Sequence, residues 1–145
     1  MEIRKMLETD FEECVVLTAE FVEESLFEYG VSLELDKLTQ TYAKVWPTSF
    51  VAVIESKVVG ILAGFINTDL MCNEPVYEEI LWYMSKKHRK YGIKLFKHVQ
   101  QECIVLGIKR MTMCCMHNSK TEQLFNLYKK LGFQEQETRF VKELT

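Results

Sequence analysis

Between Lys86 and His98 the chain reads Lys-Lys-His-Arg-Lys-Tyr-Gly-Ile-Lys-Leu-Phe-Lys-His, with six Lys and Arg and no acidic residue. Elsewhere the charge runs the other way: residues 1 to 36 hold eleven acids against two bases, and the net charge is −3. A cationic island in an acidic chain suggests a small anionic ligand, a solvated basic surface being the plainer alternative. The island follows an apolar run, Glu79 to Ser85, and contains Gly92. A helix that starts directly after a strand aims free N–H groups and its positive end at whatever lies over the strand. A glycine there lets a phosphate approach the backbone. With Arg89 and Lys90 at the rim, the chemistry is that of a pyrophosphate seat. G-x-x-x-x-G-K-[ST] and G-x-G-x-x-G are both absent, so neither a P-loop NTPase nor a Rossmann dinucleotide site is supported.

The remaining reactive side chains point nowhere in particular. His88, His98 and His117 have no metal-ligand spacing and no paired Ser or Cys nucleophile, and they read as surface histidines; no metal is expected. Cys14, Cys72, Cys103, Cys114 and Cys115 form no CxxC pair, and their odd count forbids a complete disulfide framework. They read as reduced thiols that mostly fill the core.

These groups need a scaffold. Glu2 to Met6 reads as a short strand. Thr9 to Glu12 reads as a capping box opening a helix with apolar positions Phe11, Val15, Val22 and Leu26, which Gly30 stops. Asp36 caps a second helix, Lys37 to Val45, which Pro47 ends. Ser49 to Glu55 and Val58 to Ile66 form a hairpin across Ser56-Lys57, Asn67 to Pro75 is a loop, and Glu79 to Ser85 is a central strand. The helix from Gly92 ends at Gly107, Lys109 to Met116 is a strand, and Ser119 to Glu122 is a second capping box for a helix closed by Gly132. Thr138 to Leu144 reads as a last strand. The expectation is one α/β (α+β) domain over 1–145, a mixed central sheet flanked by helices in the order βααβββαβαβ.

In this setting the chain resembles the GNAT N-acetyltransferases, whose cofactor loop reads R/Q-x-x-G-x-G/A between a central strand and a helix. Arg89-x-x-Gly92 matches the first half, with Lys94 where a second small residue is usual. Alternatively the loop is shorter and Gly92 takes the second glycine position. A second segment, Leu127-Tyr128-Lys129-Lys130-Leu131-Gly132-Phe133, is similar to the family's L-Y-x-K-x-G-F and lies about 35 residues downstream. Glu137 to Leu144 is similar to short members found in tailed phages.

The resemblance implies acetyl-CoA as co-substrate and direct attack of an amine through a tetrahedral intermediate. It implies that Trp82, Tyr83 and Met84 hold the pantetheine through their strand, that Arg89, Lys90, Tyr91, Gly92, Ile93 and Lys94 surround the pyrophosphate, and that Tyr128 protonates the departing thiolate. Asn118 stands near the family's motif asparagine, as a cofactor contact or as a helix cap. Glu79, rather than the adjacent Glu78, is the candidate general base, provided that burial raises its pKa.

The acidic N-terminal third suggests a cationic amine acceptor such as a polyamine, an aminoglycoside or a peptide amine. Nucleic acid is not expected of a chain with net negative charge. No signal-peptide or membrane-span pattern is visible, so a cytoplasmic protein is expected, and homodimers are common in the family. A second reading keeps acyl-CoA binding without catalysis, as a regulatory or assembly module.

Overall fold

The computed structural model describes residues 1–26, 29–30, 32–118 and 120–144. Its elements are β1 Glu2–Lys5, α1 Phe11–Ser25, α2 Leu35–Val45, β2 Phe50–Ile54, β3 Lys57–Asp69, β4 Glu74–Met84, α3 Gly92–Val105, β5 Arg110–Thr112 and α4 Thr121–Lys130. They fall into two compact units, Met1–Cys114 and Cys115–Thr145. The first carries a five-stranded sheet in the order β1-β2-β3-β4-β5. Its neighbours are antiparallel except for the parallel β4 and β5, which α3 joins. This is the mixed α/β fold that the residue pattern predicts.

Hydrophobic periodicity explains the layers. On α1, Cys14 and Leu17 are buried, and Phe11, Val15 and Phe21 pack beside them against Val51, Val53, Ile61, Leu81 and Tyr83 of the sheet. On the other side Leu95, Phe96, Val99 and Cys103 of α3 are buried at i, i+1, i+4 and i+8, with Phe96 stacked obliquely on Trp82 at 5.6 Å between ring centroids. Each such side chain contributes about 1.5–3 kcal/mol through burial. Both faces of β2 are therefore covered, which is why FVAVI shows no polar alternation.

Several boundaries differ from the predicted ones. The expected Thr9 capping box does not form: Asp10 stands at the N-cap of α1 without a side-chain cap bond, and its carboxylate instead closes the 3₁₀ turn Glu8–Asp10 by accepting the Leu7 N–H at 2.8 Å, together with two Arg4 bonds at 2.7 and 2.9 Å. The β2–β3 hairpin turns on Glu55 and Ser56, both at positive φ (50° and 62°), the signature of a two-residue primed turn made without glycine. Much of the expected Asn67 to Pro75 loop is strand, because β3 and β4 stay paired out to Asp69 and Glu74.

The second capping box includes Ser119, which lies outside the described residues. There Asn118 and Thr121 make the turn into α4: the Asn118 N–H donates to Thr121 Oγ1 at 2.8 Å, and Asn118 Oδ1 accepts the Lys120 N–H at 2.9 Å. The expected last strand, Thr138 to Leu144, is not regular structure over its described residues. Phe140, Val141 and Leu144 are exposed there, without the ladder that alternation alone cannot supply.

Candidate active site

Strand β4 carries most of the candidate residues on the first unit. Its ladder with β5 covers only Val76, Tyr77 and Glu78, after which β4 runs on from Glu79 to Met84. Opposite, the register with β3 slips: Gly64 pairs with Glu79 and Ala63 with Leu81, so Ile80 is an extra residue, a β-bulge. The bulge inverts the alternation. Before it, Tyr77 lies toward α3, where its hydroxyl donates to the Thr48 carbonyl at 2.9 Å. After it, Leu81 and Tyr83 pack with α1, while Trp82 and Met84 lie toward α3. Gly64 makes the slip possible, since a Cβ there would lie 2.5 Å from the Glu78 carbonyl oxygen and 2.6 Å from the Tyr77 ring.

Glu79 sits at this bulge with only 7% exposure. Its Oε2 accepts the Cys114 N–H at 2.8 Å. That bond replaces the strand ladder beyond Thr112, which is why β5 stops short of the predicted Met116. Desolvation pushes the carboxyl up to about 7, only partly opposed by the Cys114 N–H. A carboxyl poised there can exchange a proton near neutral pH.

Above the end of β4, the expected loop is a tight 3₁₀ turn, Lys86–Tyr91, running straight into α3. Helical winding thus begins six residues before Gly92, whose own N–H bonds to the Arg89 carbonyl. Gly92 is buried as the close-packed first residue of α3, its missing side chain facing Met84 and Trp82 at 3.4 and 3.7 Å. The cationic side chains Lys86, Lys87, Arg89 and Lys90 are exposed, with Lys90 Nζ 5.0 Å from the Tyr91 ring centre. Ser85 Oγ and His88 Nδ1 lie 2.8 Å apart at the base of the turn. A cleft of about 370 Å³ opens between Ser85, Lys86, Lys87 and His88 and the α1 residues Glu20, Glu23 and Glu24.

In the second unit α4 ends at Gly132 with φ 91°. The Phe133 N–H bonds to the Tyr128 carbonyl at 2.9 Å and the Gly132 N–H to that of Lys129 at 3.1 Å, a Schellman cap. The Tyr128 and Phe133 rings meet edge to face at 5.5 Å, the apolar contact that accompanies such a cap. The Tyr-x-x-x-Gly-Phe spacing thus has a structural use in addition to any chemical one.

With this geometry in view, the comparison with protein families is decisive. A model of the Acetyltransferase (GNAT) family matches residues 5–133. The chain belongs to the GNAT acetyltransferase family. Membership makes it an N-acetyltransferase, an acyl-transfer enzyme. No curated protein sequence matches it.

Solved structures agree on the fold. A ribosomal-protein-alanine N-acetyltransferase from Brucella melitensis biovar Abortus 2308 superposes with a TM-score of 0.78 at 12% identity, covering 99% of this chain and 98% of that one. A possible acetyltransferase from Clostridium difficile 630 gives 0.77 at 18%, covering 99% and 97%. An aminoglycoside acetyltransferase from an uncultured soil metagenomic sample, in complex with sisomicin, gives 0.72 at 20%, covering 99% and 96%.

For this GNAT chain the structure gathers Glu79, Trp82, Tyr83, Met84, Arg89, Lys90, Tyr91 and Gly92 along one strand end and turn. Ile93 and Lys94 lie exposed on α3. Asn118 and Tyr128 belong to the second unit. Among the described residues no group of three or more His, Cys, Asp or Glu could hold a metal, and no helix is long and apolar enough to cross a membrane.

Sequence reasoning missed Glu24. It receives the Tyr83 hydroxyl at 2.8 Å, the Arg89 guanidinium and, at 3.5 Å, the Lys86 ammonium. The available signal was the i, i+4 pair Glu20 and Glu24, which places two acids on one helix face.

Proposed function

We propose that this GNAT enzyme transfers the acetyl group of acetyl-CoA to an amine by direct attack through a tetrahedral intermediate. The observation that carries the reading is β4: it outruns its neighbour β5, bears a buried carboxyl at Glu79 and ends under a cationic turn. The residues fit the co-substrate. The stretch of β4 from Leu81 to Met84 offers a pantetheine chain a backbone edge beyond the β5 ladder, and Arg89, Lys90 and the neighbouring lysines match a diphosphate in charge. Tyr91, Ile93, Lys94 and Asn118 complete the cofactor contacts in this reading, with Gly92 as the close-packed glycine of the turn.

Glu79 takes the proton of the ammonium acceptor, directly or through water, and leaves a neutral amine. The amine nitrogen attacks the thioester carbonyl, the C–S bond breaks as the intermediate collapses, Tyr128 gives its proton to the thiolate, and the proton shed by the nitrogen as it becomes an amide returns to the tyrosine, directly or through water. The family match runs from residue 5 to 133 and so spans both compact units, which supports reading 1–145 as one acyltransferase domain. The acidic excess of α1 favours a cationic acceptor. Two of the structural relatives are named for amine acceptors, an aminoglycoside and a ribosomal-protein alanine. Placement among short phage-type members, a homodimer and a cytoplasmic location are part of the same proposal and rest on the sequence.

The test is CoA release from acetyl-CoA across a panel of polyamines, aminoglycosides and peptide amines. Tyr128→Phe should lower kcat by a factor of about 10²–10⁴, in the range of a lost general acid. Unchanged turnover in that variant refutes the acid. Tight acetyl-CoA binding with no turnover on any amine would favour a binding module instead.

A further inference from the structure

Glu24 stands in the last turn of α1, 65 residues before Arg89 in the chain, yet Arg89 and Lys86 both form ion pairs with its carboxylate. The three partners are unequal. The Glu24 side chain is 13% exposed, against 45% for Arg89 and 74% for Lys86. From below, Glu24 Oε1 accepts the hydroxyl of Tyr83, a β4 residue that is itself buried and whose pKa is pushed far up by desolvation and then by Glu24. A neutral donor rooted in the sheet thus keeps the carboxylate in place whether or not the cations stay. The cations ride on long exposed stems and are the partners free to move.

A guanidinium meets a carboxylate and a phosphate in the same way, through N–H donors directed at a pair of anionic oxygens. The Glu24 carboxylate therefore offers Arg89 what a diphosphate would offer it. We propose that Glu24 is a positioning residue that competes for the cofactor turn: it holds Arg89 and Lys86 when no diphosphate is bound and yields them when one binds. The proposal rests on reading Lys86 to Gly92 as the pyrophosphate seat. It implies that apparent cofactor affinity is lowered by the fraction of turns held by Glu24. An ion pair with this much solvent contact is worth up to about a factor of five in an equilibrium.

Glu24→Gln tests the idea, because the amide oxygen can still accept from Tyr83 while the charge is gone. Isothermal titration with CoA and with inorganic pyrophosphate compares the intact chain, Glu24→Gln, Arg89→Gln and the double variant, each checked for an intact melting transition. Glu24→Gln should bind both probes about two- to fivefold more tightly, a gain that shrinks in 0.5 M salt because the competing pair is screened (Debye length of roughly 4 Å). In the Arg89→Gln background the gain should fall below about twofold, since most of the competition is for Arg89.

Equal or weaker binding by Glu24→Gln, together with weaker binding by Arg89→Gln, overturns the competition and leaves the seat intact. Binding that is indifferent to Arg89→Gln overturns the seat itself. Should Glu24→Gln fold poorly, Glu24→Asp retracts the charge by one methylene and should shift affinity in the same direction by a smaller factor; no shift in a folded Glu24→Asp counts against the proposal.

Discussion

Replacing Glu79 by Gln should separate the cost of burying this carboxyl from its use. The rise from 4.5 to about 7 corresponds to about 3 kcal/mol charged against the ionised form in the folded chain. The sign follows from linkage. A carboxyl whose folded pKa lies above its unfolded one favours folding fully below about pH 4.5, and that contribution is lost as pH rises through about 7. Urea unfolding of the parent chain should therefore weaken between pH 4.5 and pH 8, by up to about 3 kcal/mol from this group.

Glu79→Gln keeps an oxygen for the Cys114 N–H and has no charge to bury, so it should match the parent near pH 4.5 and exceed it by about 3 kcal/mol at pH 8. With a urea slope of about 1–3 kcal/mol per molar, the midpoints at pH 8 should differ by at least about 1 M. Activity should move oppositely. The parent's kcat/KM for an amine should climb to half its plateau near pH 7, and Glu79→Gln should lose that limb and about 10²–10⁴ in rate. A stability difference independent of pH, or an ascending limb near 7 that survives the substitution, refutes the reasoning.

Gly64→Ala should cost about 1–3 kcal/mol in urea unfolding, because its Cβ would press on the Glu78 carbonyl and the Tyr77 ring; a loss under about 0.5 kcal/mol would mean that the bulge relaxes freely. Asn-Gly in place of Glu55-Ser56 should raise stability by about 1 kcal/mol and leave cofactor affinity unchanged, since both residues sit at positive φ in a two-residue hairpin. A fall in melting temperature would show that the turn is held by something other than its backbone angles.

Much of the frame was legible in the chain because it rests on local signals. Gly107 and Gly132 end α3 and α4 at positive φ, as glycines after an apolar helical run should. The strand, turn and helix from Glu79 to Leu106 follow from a both-sided apolar run, a charge block and a 3.6-residue period. What escaped is non-local. The bulge at Ile80 depends on Gly64 across the sheet, and no period within β4 announces it. The burial of Glu79 depends on where β5 leaves the ladder, and the Glu24 contacts join residues about sixty positions apart. Thr138 to Leu144 failed for the complementary reason: alternation specifies which faces a strand would have, while a strand exists only with a partner.

Ile80 has one further consequence. It works as a phase adjuster, letting two halves of one strand obey different constraints. The half before it is timed to β5, which decides what surrounds Glu79. The half after it is timed to the turn and α3, which decides how Trp82 and Met84 meet Gly92. A bulge-free strand would tie these settings together, so that a one-residue length change near the carboxyl would turn the Leu81 to Met84 side chains to the opposite face. With one residue of slack between them, the surroundings of Glu79 and the packing of the Leu81 to Met84 edge are uncoupled, and replacing either half alone becomes a reasonable engineering step.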